Sequence, residues 1–208
     1  MIAYGIQDVP LTAIPENITV VIKDPEEAAA RMLILLSVAF CASNSAEADK
    51  IGNWLKKEDL WQAVSENEKL FFREPESSDE EKAKLSFQFE GAYMLAWVLG
   101  MVEVYPDPSS ECDLELVSDF FANVPPVLAE TDNLFEDAGF ERSTAIHDEY
   151  LFYKMAELYF KHIKKADKEN TSNVHSPAAH QRYLVLEWLL NPDNIEWDQL
   201  IELLNGEE

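Results

Sequence analysis

Apolar positions are densest between Glu90 and Glu103, Glu-Gly-Ala-Tyr-Met-Leu-Ala-Trp-Val-Leu-Gly-Met-Val-Glu, where nothing charged stands between the two end carboxylates. Wound as a helix, this stretch is apolar on every side. Ala92, Leu95, Ala96 and Leu99 form one stripe, Met94, Val98 and Met101 a second, and Tyr93, Trp97 and Val104 a third. Such a helix must be buried all round, and it is shorter than the about 20 apolar residues that a bilayer requires. The pattern therefore predicts the central helix of a bundle, with the rest of the chain wrapped over it.

The flanking segments predict the wrapping. Residues 1 to 23, with Pro10, Pro15 and the β-branched Asn17-Ile-Thr-Val-Val-Ile-Lys23, predict an extended arm with one short strand. Asp24-Pro25-Glu26-Glu27 opens a helix: Asp24 is placed to cap, Pro25 has no amide to leave unpaired, and the glutamates meet the positive end of the dipole. That helix should reach about Ala42 and, being apolar on most faces from Met32 to Phe40, should lie beside the central one. Ser45 opens a short helix carrying Ile51, Trp54 and Leu55, and Ser65-Glu-Asn-Glu68 and Ser78-Asp-Glu-Glu81 are capping boxes. Whether Ser78 to Val104 is one helix or two joined near Ser86 is open at this level.

Tyr105-Pro-Asp-Pro108 is expected to end the central helix and to form a hinge, since neither proline can continue it. A helix over about Asp113 to Asn123 should bury Leu114, Val117, Phe120 and Phe121. Longer helices are expected from Glu141 to about Lys168 and from Ser176-Pro177 to Leu190, and a short one from Glu196 to Leu204. The fold class this predicts is all-α: a single-domain multi-helix bundle around a buried central helix, which the helices starting at Pro25, Glu141 and Pro177 cover.

Composition narrows the function. Forty acidic residues against sixteen basic ones give the 208-residue chain a formal charge of -24. So negative a surface repels nucleic-acid phosphates and anionic lipids, so no nucleic acid and no membrane is expected as partner. A basic protein partner is the expectation that charge allows, and solubility the plainer use of it. Between Tyr105 and Glu141 there is no Lys, Arg or His. Asp107, Glu111, Asp113, Glu115 and Asp119 in that stretch are the candidate acidic interaction surface. Cys41 and Cys112 have neither CxxC nor Cys/His spacing, which suggests a reducing cytoplasm, and Met1 to Pro10 does not read as a signal peptide.

No chemical motif appears. G-x-S-x-G, P-loop and G-x-G-x-x-G patterns are missing, and His147, His162, His175 and His180 follow no ligand spacing, so neither cofactor nor metal is expected. Glu90 is the residue that most needs an explanation, because a carboxylate heading a buried helix requires a partner or a raised pKa. Arg31 and Arg182 are its candidate partners, and with Trp97 they define the candidate pocket or buried ion pair.

The succession of blocks carries a resemblance. Asp24-Pro-Glu-Glu-Ala-Ala-Ala-Arg31-Met-Leu-Ile-Leu-Leu, Trp54-Leu55, Ser65-Glu-Asn-Glu68, Glu90-Gly-Ala-Tyr-Met-Leu-Ala-Trp97-Val-Leu-Gly100, Arg182-Tyr-Leu-Val-Leu-Glu-Trp188-Leu and Glu196-Trp197-Asp198 resemble, in order, the bacterial domain-of-unknown-function family 4272. The chain departs from that pattern at Gln181 and Glu187, where the family carries glutamate and asparagine. The resemblance implies a helical, cytoplasmic, single-domain protein, and it supplies no catalytic residue. Two functions of different class follow: a non-catalytic binding protein that docks a basic partner on its acidic surface, or an enzyme with a pocket near Glu90, Trp97 and Arg182.

Overall fold

The computed structural model describes residues 1–6, 22–75, 78–131, 134–135, 138–140, 143–191 and 193–206. Among these the regular structure is all helical: α1 (Pro25–Ser43), α2 (Ala48–Lys57), α3 (Glu66–Arg73), α4 (Asp79–Ser86), α5 (Gln88–Val98), α6 (Leu114–Asn123), α7 (Ser143–Lys165), α8 (Ser176–Leu190) and α9 (Trp197–Gly206). The expected arm falls largely on residues 7–21 and, with most of its strand, lies outside the described residues. No described helix is long and apolar enough to cross a membrane.

The core is a row of helices. α5 lies between α1 and α8, and α7 packs on the far side of α8. The expectation that the helix beginning near Glu141 would cover the central helix is corrected: α7 packs chiefly on α8, and α1 and α8 do the covering. Every residue of α5 from Glu90 to Val98 is buried. Gly91 sets how closely α5 approaches α8, since a Cβ there would stand 2.9 Å from Val185 Cγ1 and 3.4 Å from the Gln181 carbonyl. Large side chains fill the rest of the layer, Tyr93, Met94 and Leu95 being fully enclosed at about 1.5–3 kcal/mol of burial apiece.

The helix ends show which local signals prevail. Ser78–Glu81 forms its capping box, and α4 and α5 are separate helices meeting at Phe87. α5 stops earlier than the prolines required. Gly100, at φ 74, lets the Met101 amide donate to the Ala96 carbonyl (2.9 Å) and its own amide to Trp97 (3.1 Å), a Schellman cap. The Tyr105–Pro108 segment is thus already outside the helix. Asp24 occupies the cap position of α1 but makes no side-chain cap bond, and Ser45 starts a 3₁₀ turn rather than α2 itself. In α6, Asp113 takes the cap, accepting from the amides of Glu115 and Leu116. Leu114, at the first position of α6, points outward, 88% exposed, and Leu116 is half-buried against the core instead; Phe120 is buried as expected, whereas Phe121 is 43% exposed. Cys41 is a core residue whose thiol burial pushes up to about 11.

Candidate functional site

Glu90, in the first turn of α5, meets Arg182, which α8 carries one residue beyond the Gln181 carbonyl that faces Gly91. Arg182 Nη2 donates to Glu90 Oε2 at 2.6 Å and Nε to the same oxygen at 3.2 Å. The remaining guanidinium donors reach the Asp107 carbonyl (2.8 Å), the Ser110 carbonyl (3.0 Å) and the Tyr153 hydroxyl (3.2 Å). Glu90 Oε1 accepts from the Cys112 amide at 2.8 Å, and Oε2 from the Cys112 thiol at 3.2 Å. The segment expected to act as a hinge is in this way fastened by its backbone to a fully buried arginine.

The electrostatics follow from that enclosure. Burial works against the charge of Arg182, but Tyr153 and Glu90 beside it hold its pKa above the ordinary value. Burial and the neighbouring Glu90 carboxylate push the Cys112 thiol far up, so it stays protonated and donates. Burial likewise raises Tyr105, whose hydroxyl donates to Glu149 and lies 3.1 Å from that of Tyr153. Trp97 packs its ring edge to face with Tyr105 at 5.2 Å. The cluster offers neither a free base nor a thiolate. Glu90, Trp97 and Arg182 line neither the open cleft at the start of α1 nor the apolar groove beside α6.

Arg31 stands elsewhere, which corrects its candidacy as a partner of Glu90. Its Nη1 lies 2.7 and 2.9 Å from the two carboxylate oxygens of Glu68, and its Nη2 donates to the Ala63 carbonyl at 2.6 Å. Glu68 simultaneously accepts from the Ser65 amide at 2.8 Å, completing the capping box of α3. A capping-box glutamate has a sufficient local role, so nothing in the sequence marks it for a second, distant one.

Arg31 borders an open cleft of about 590 Å³ formed by the start of α1, the turn after α2, the end of α8 and the approach to α9. The guanidinium lies 4.7 Å from the Trp197 ring centre and 5.8 Å from that of Trp188, and Lys23 Nζ lies 5.0 Å from Trp188. Lys23 also donates to Asn194 and approaches Glu27 at 4.0 Å, leaving its side chain 8% exposed. Sequence reasoning missed this cleft. The crowding of Glu26, Glu27, Trp188, Glu196 and Trp197 into the blocks that carry the family resemblance was the available signal.

The acidic candidates lie on and before α6. Asp107, Glu111, Asp113 and Glu115 are exposed. Asp107 accepts from the amide and hydroxyl of Ser109, and Glu111 lies 3.4 Å from His175, the cap of α8. Asp119 is only half exposed, and its Oδ2 is buried without a hydrogen-bond partner among the described residues. The same helix presents Phe121, 43% exposed, to an apolar groove of about 510 Å³ shared with Leu36, Phe40, Phe89 and Val127. No three His, Cys, Asp or Glu among the described residues are placed to hold a metal ion.

These features define an all-α domain with its paired arginines drawn inside and its open features at the surface. The chain belongs to the family described as Domain of unknown function (DUF4272), whose model matches residues 5–200. No curated protein and no solved structure matches it.

Proposed function

We propose that the protein is a non-catalytic binding protein that docks a basic protein on the acidic face built around α6. The observation that carries this reading is the placement, on α6 and the segment leading into it, of the exposed carboxylates Asp107, Glu111, Asp113 and Glu115 and of Phe121 at the edge of an apolar groove. Carboxylates steer a basic partner and set its orientation, while an apolar centre shielded from water supplies the larger share of affinity. The enclosure of Glu90 and Arg182 by one another and by backbone groups supports a structural role for that cluster and so favours the binding reading over a pocket there.

The test is capture of partners from native lysate at low and at high salt, repeated with the triple variant E111K/D113N/E115K. Asparagine at 113 preserves the cap of α6, so the variant changes charge without removing the helix start. A stoichiometric basic protein, lost both at high salt and with the variant, is the expected result. Capture indifferent to both would end this reading.

A further inference from the structure

The cleft beside Arg31 is lined by buried donors as well as by carboxylates. Trp197 is 2% exposed, and its Nε1–H, which can only donate, finds no acceptor among the described residues. Arg31, 5% exposed, commits both terminal nitrogens to Glu68 and Ala63 and leaves its Nε–H without an acceptor among the described residues. Lys23 and Arg31 already lie over the indole rings, so an incoming cation has no ring to rest on and nothing to offer the orphan N–H. What this part of the cleft lacks is an acceptor, and beside two cations and an indole N–H the acceptor most strongly drawn is a carboxylate.

The carboxylates of the cleft select the rest of the molecule. Glu26, Asp59 and Glu196 line it from the first turn of α1, the turn after α2 and the residue before α9. None of the three makes a side-chain hydrogen bond or ion pair among the described residues. They repel a simple anion, which would also have to approach a chain of formal charge -24. A carboxylate therefore reaches the donors only on a molecule whose remaining charge is positive.

We propose that this cleft binds a free basic α-amino acid. Its carboxylate accepts from Trp197 Nε1–H and the Arg31 guanidinium, and its α-ammonium and side-chain cation meet Glu26, Asp59 and Glu196. A cleft of about 590 Å³ has the size of a small-ligand site. The site is separate from the α6 face, so either assignment can fail without the other.

L-arginine is the probe, titrated calorimetrically into the full chain at about physiological salt, where diffuse attraction to a negative surface is largely screened. Agmatine, which is arginine without its carboxylate, is the comparison. Saturation at one arginine per chain is expected, with affinity about tenfold or more above that for agmatine. A counterion cloud gives the opposite order, because agmatine carries the larger positive charge. The Trp197 indole N–H resonance should shift with arginine and not with agmatine, and that of Trp54, which donates to the Ala129 carbonyl at 2.7 Å, should shift with neither. The variant E26Q/E196Q should weaken arginine binding roughly tenfold, while E111Q/E115Q, which removes the same charge from the α6 face, should change it less than about twofold. Glu26 and Glu196 are exposed, and unchanged melting of the variants establishes that binding, not folding, was altered. Agmatine binding as tightly as arginine, an unmoved Trp197 resonance, or equal weakening by both variants would overturn the proposal.

Discussion

Arg182 is fully enclosed, with all five guanidinium N–H groups placed on protein acceptors within 3.2 Å, whereas Arg31 meets one carboxylate and one carbonyl and lies against the indoles of an open cleft. Both pair with a glutamate and both bridge distant segments. The difference lies in what else they hold. Arg182 takes two backbone carbonyls of the segment between α5 and α6, so it shapes a loop that has no regular structure of its own. Arg31 joins the starts of α1 and α3 and borders a cleft that is open to solvent. Both pairs are buried; what differs is the neighbourhood, sealed on every side of Arg182 and bounded on one side of Arg31 by a cleft open to solvent.

Arg182→Met is the severest test of that contrast. It removes the charge at similar volume and strands Glu90 in the core, and the expected loss is about 3–5 kcal/mol in denaturant unfolding, with part regained in the double variant R182M/E90Q. A loss below about 1 kcal/mol would mean that the pair is not sealed as described.

Glu68→Gln probes the open side. Glutamine at this position keeps the capping bond to the Ser65 amide but gives up the charge facing Arg31, so the expected loss is smaller, about 1–2 kcal/mol by the same measurement. A loss equal to that of Arg182→Met would erase the distinction between the two arginines.

Glu149 gives the smallest effect and sharpens the closed side through pH. Burial raises its carboxyl above the ordinary range, outweighing the hydroxyl of Tyr105 that pulls it down. A carboxyl that holds its proton more tightly in the fold than in the unfolded chain favours the fold in acid and opposes it once the pH has passed the raised value. The stability of the protein relative to its E149Q variant should therefore decline as pH rises from about 4 towards neutrality, and be level outside that window. A relative stability that increases over the window would contradict the assigned direction.

Local signals were legible and distant ones were not. The capping boxes at Ser65 and Ser78, the proline start of α1 and the all-round apolar α5 can each be read from a few neighbouring residues. The need of Glu90 for a cation was also visible, because a buried carboxylate leaves few options in a chain with sixteen basic residues. Three things were misread where two local signals competed or a partner lay far off. Gly100 ended α5 before the prolines could, and α6 turned Leu116 rather than Leu114 towards the core. Arg31 was matched with the wrong glutamate because Glu68, 37 residues away, was already accounted for as a cap. The cleft joins the regions around residues 23–31, 58–63 and 188–197, a convergence that no periodicity encodes.

The shared carboxylate of Glu68 has a kinetic side. Its Oε2 takes both the Ser65 amide and the Arg31 guanidinium, so the first turn of α3 is clasped by a residue of the core helix. Fraying of that turn and undocking of α1 from α3 are then one opening event rather than two. In hydrogen exchange, the Ser65 amide should keep time with the interior of the bundle and not with the helix ends around it.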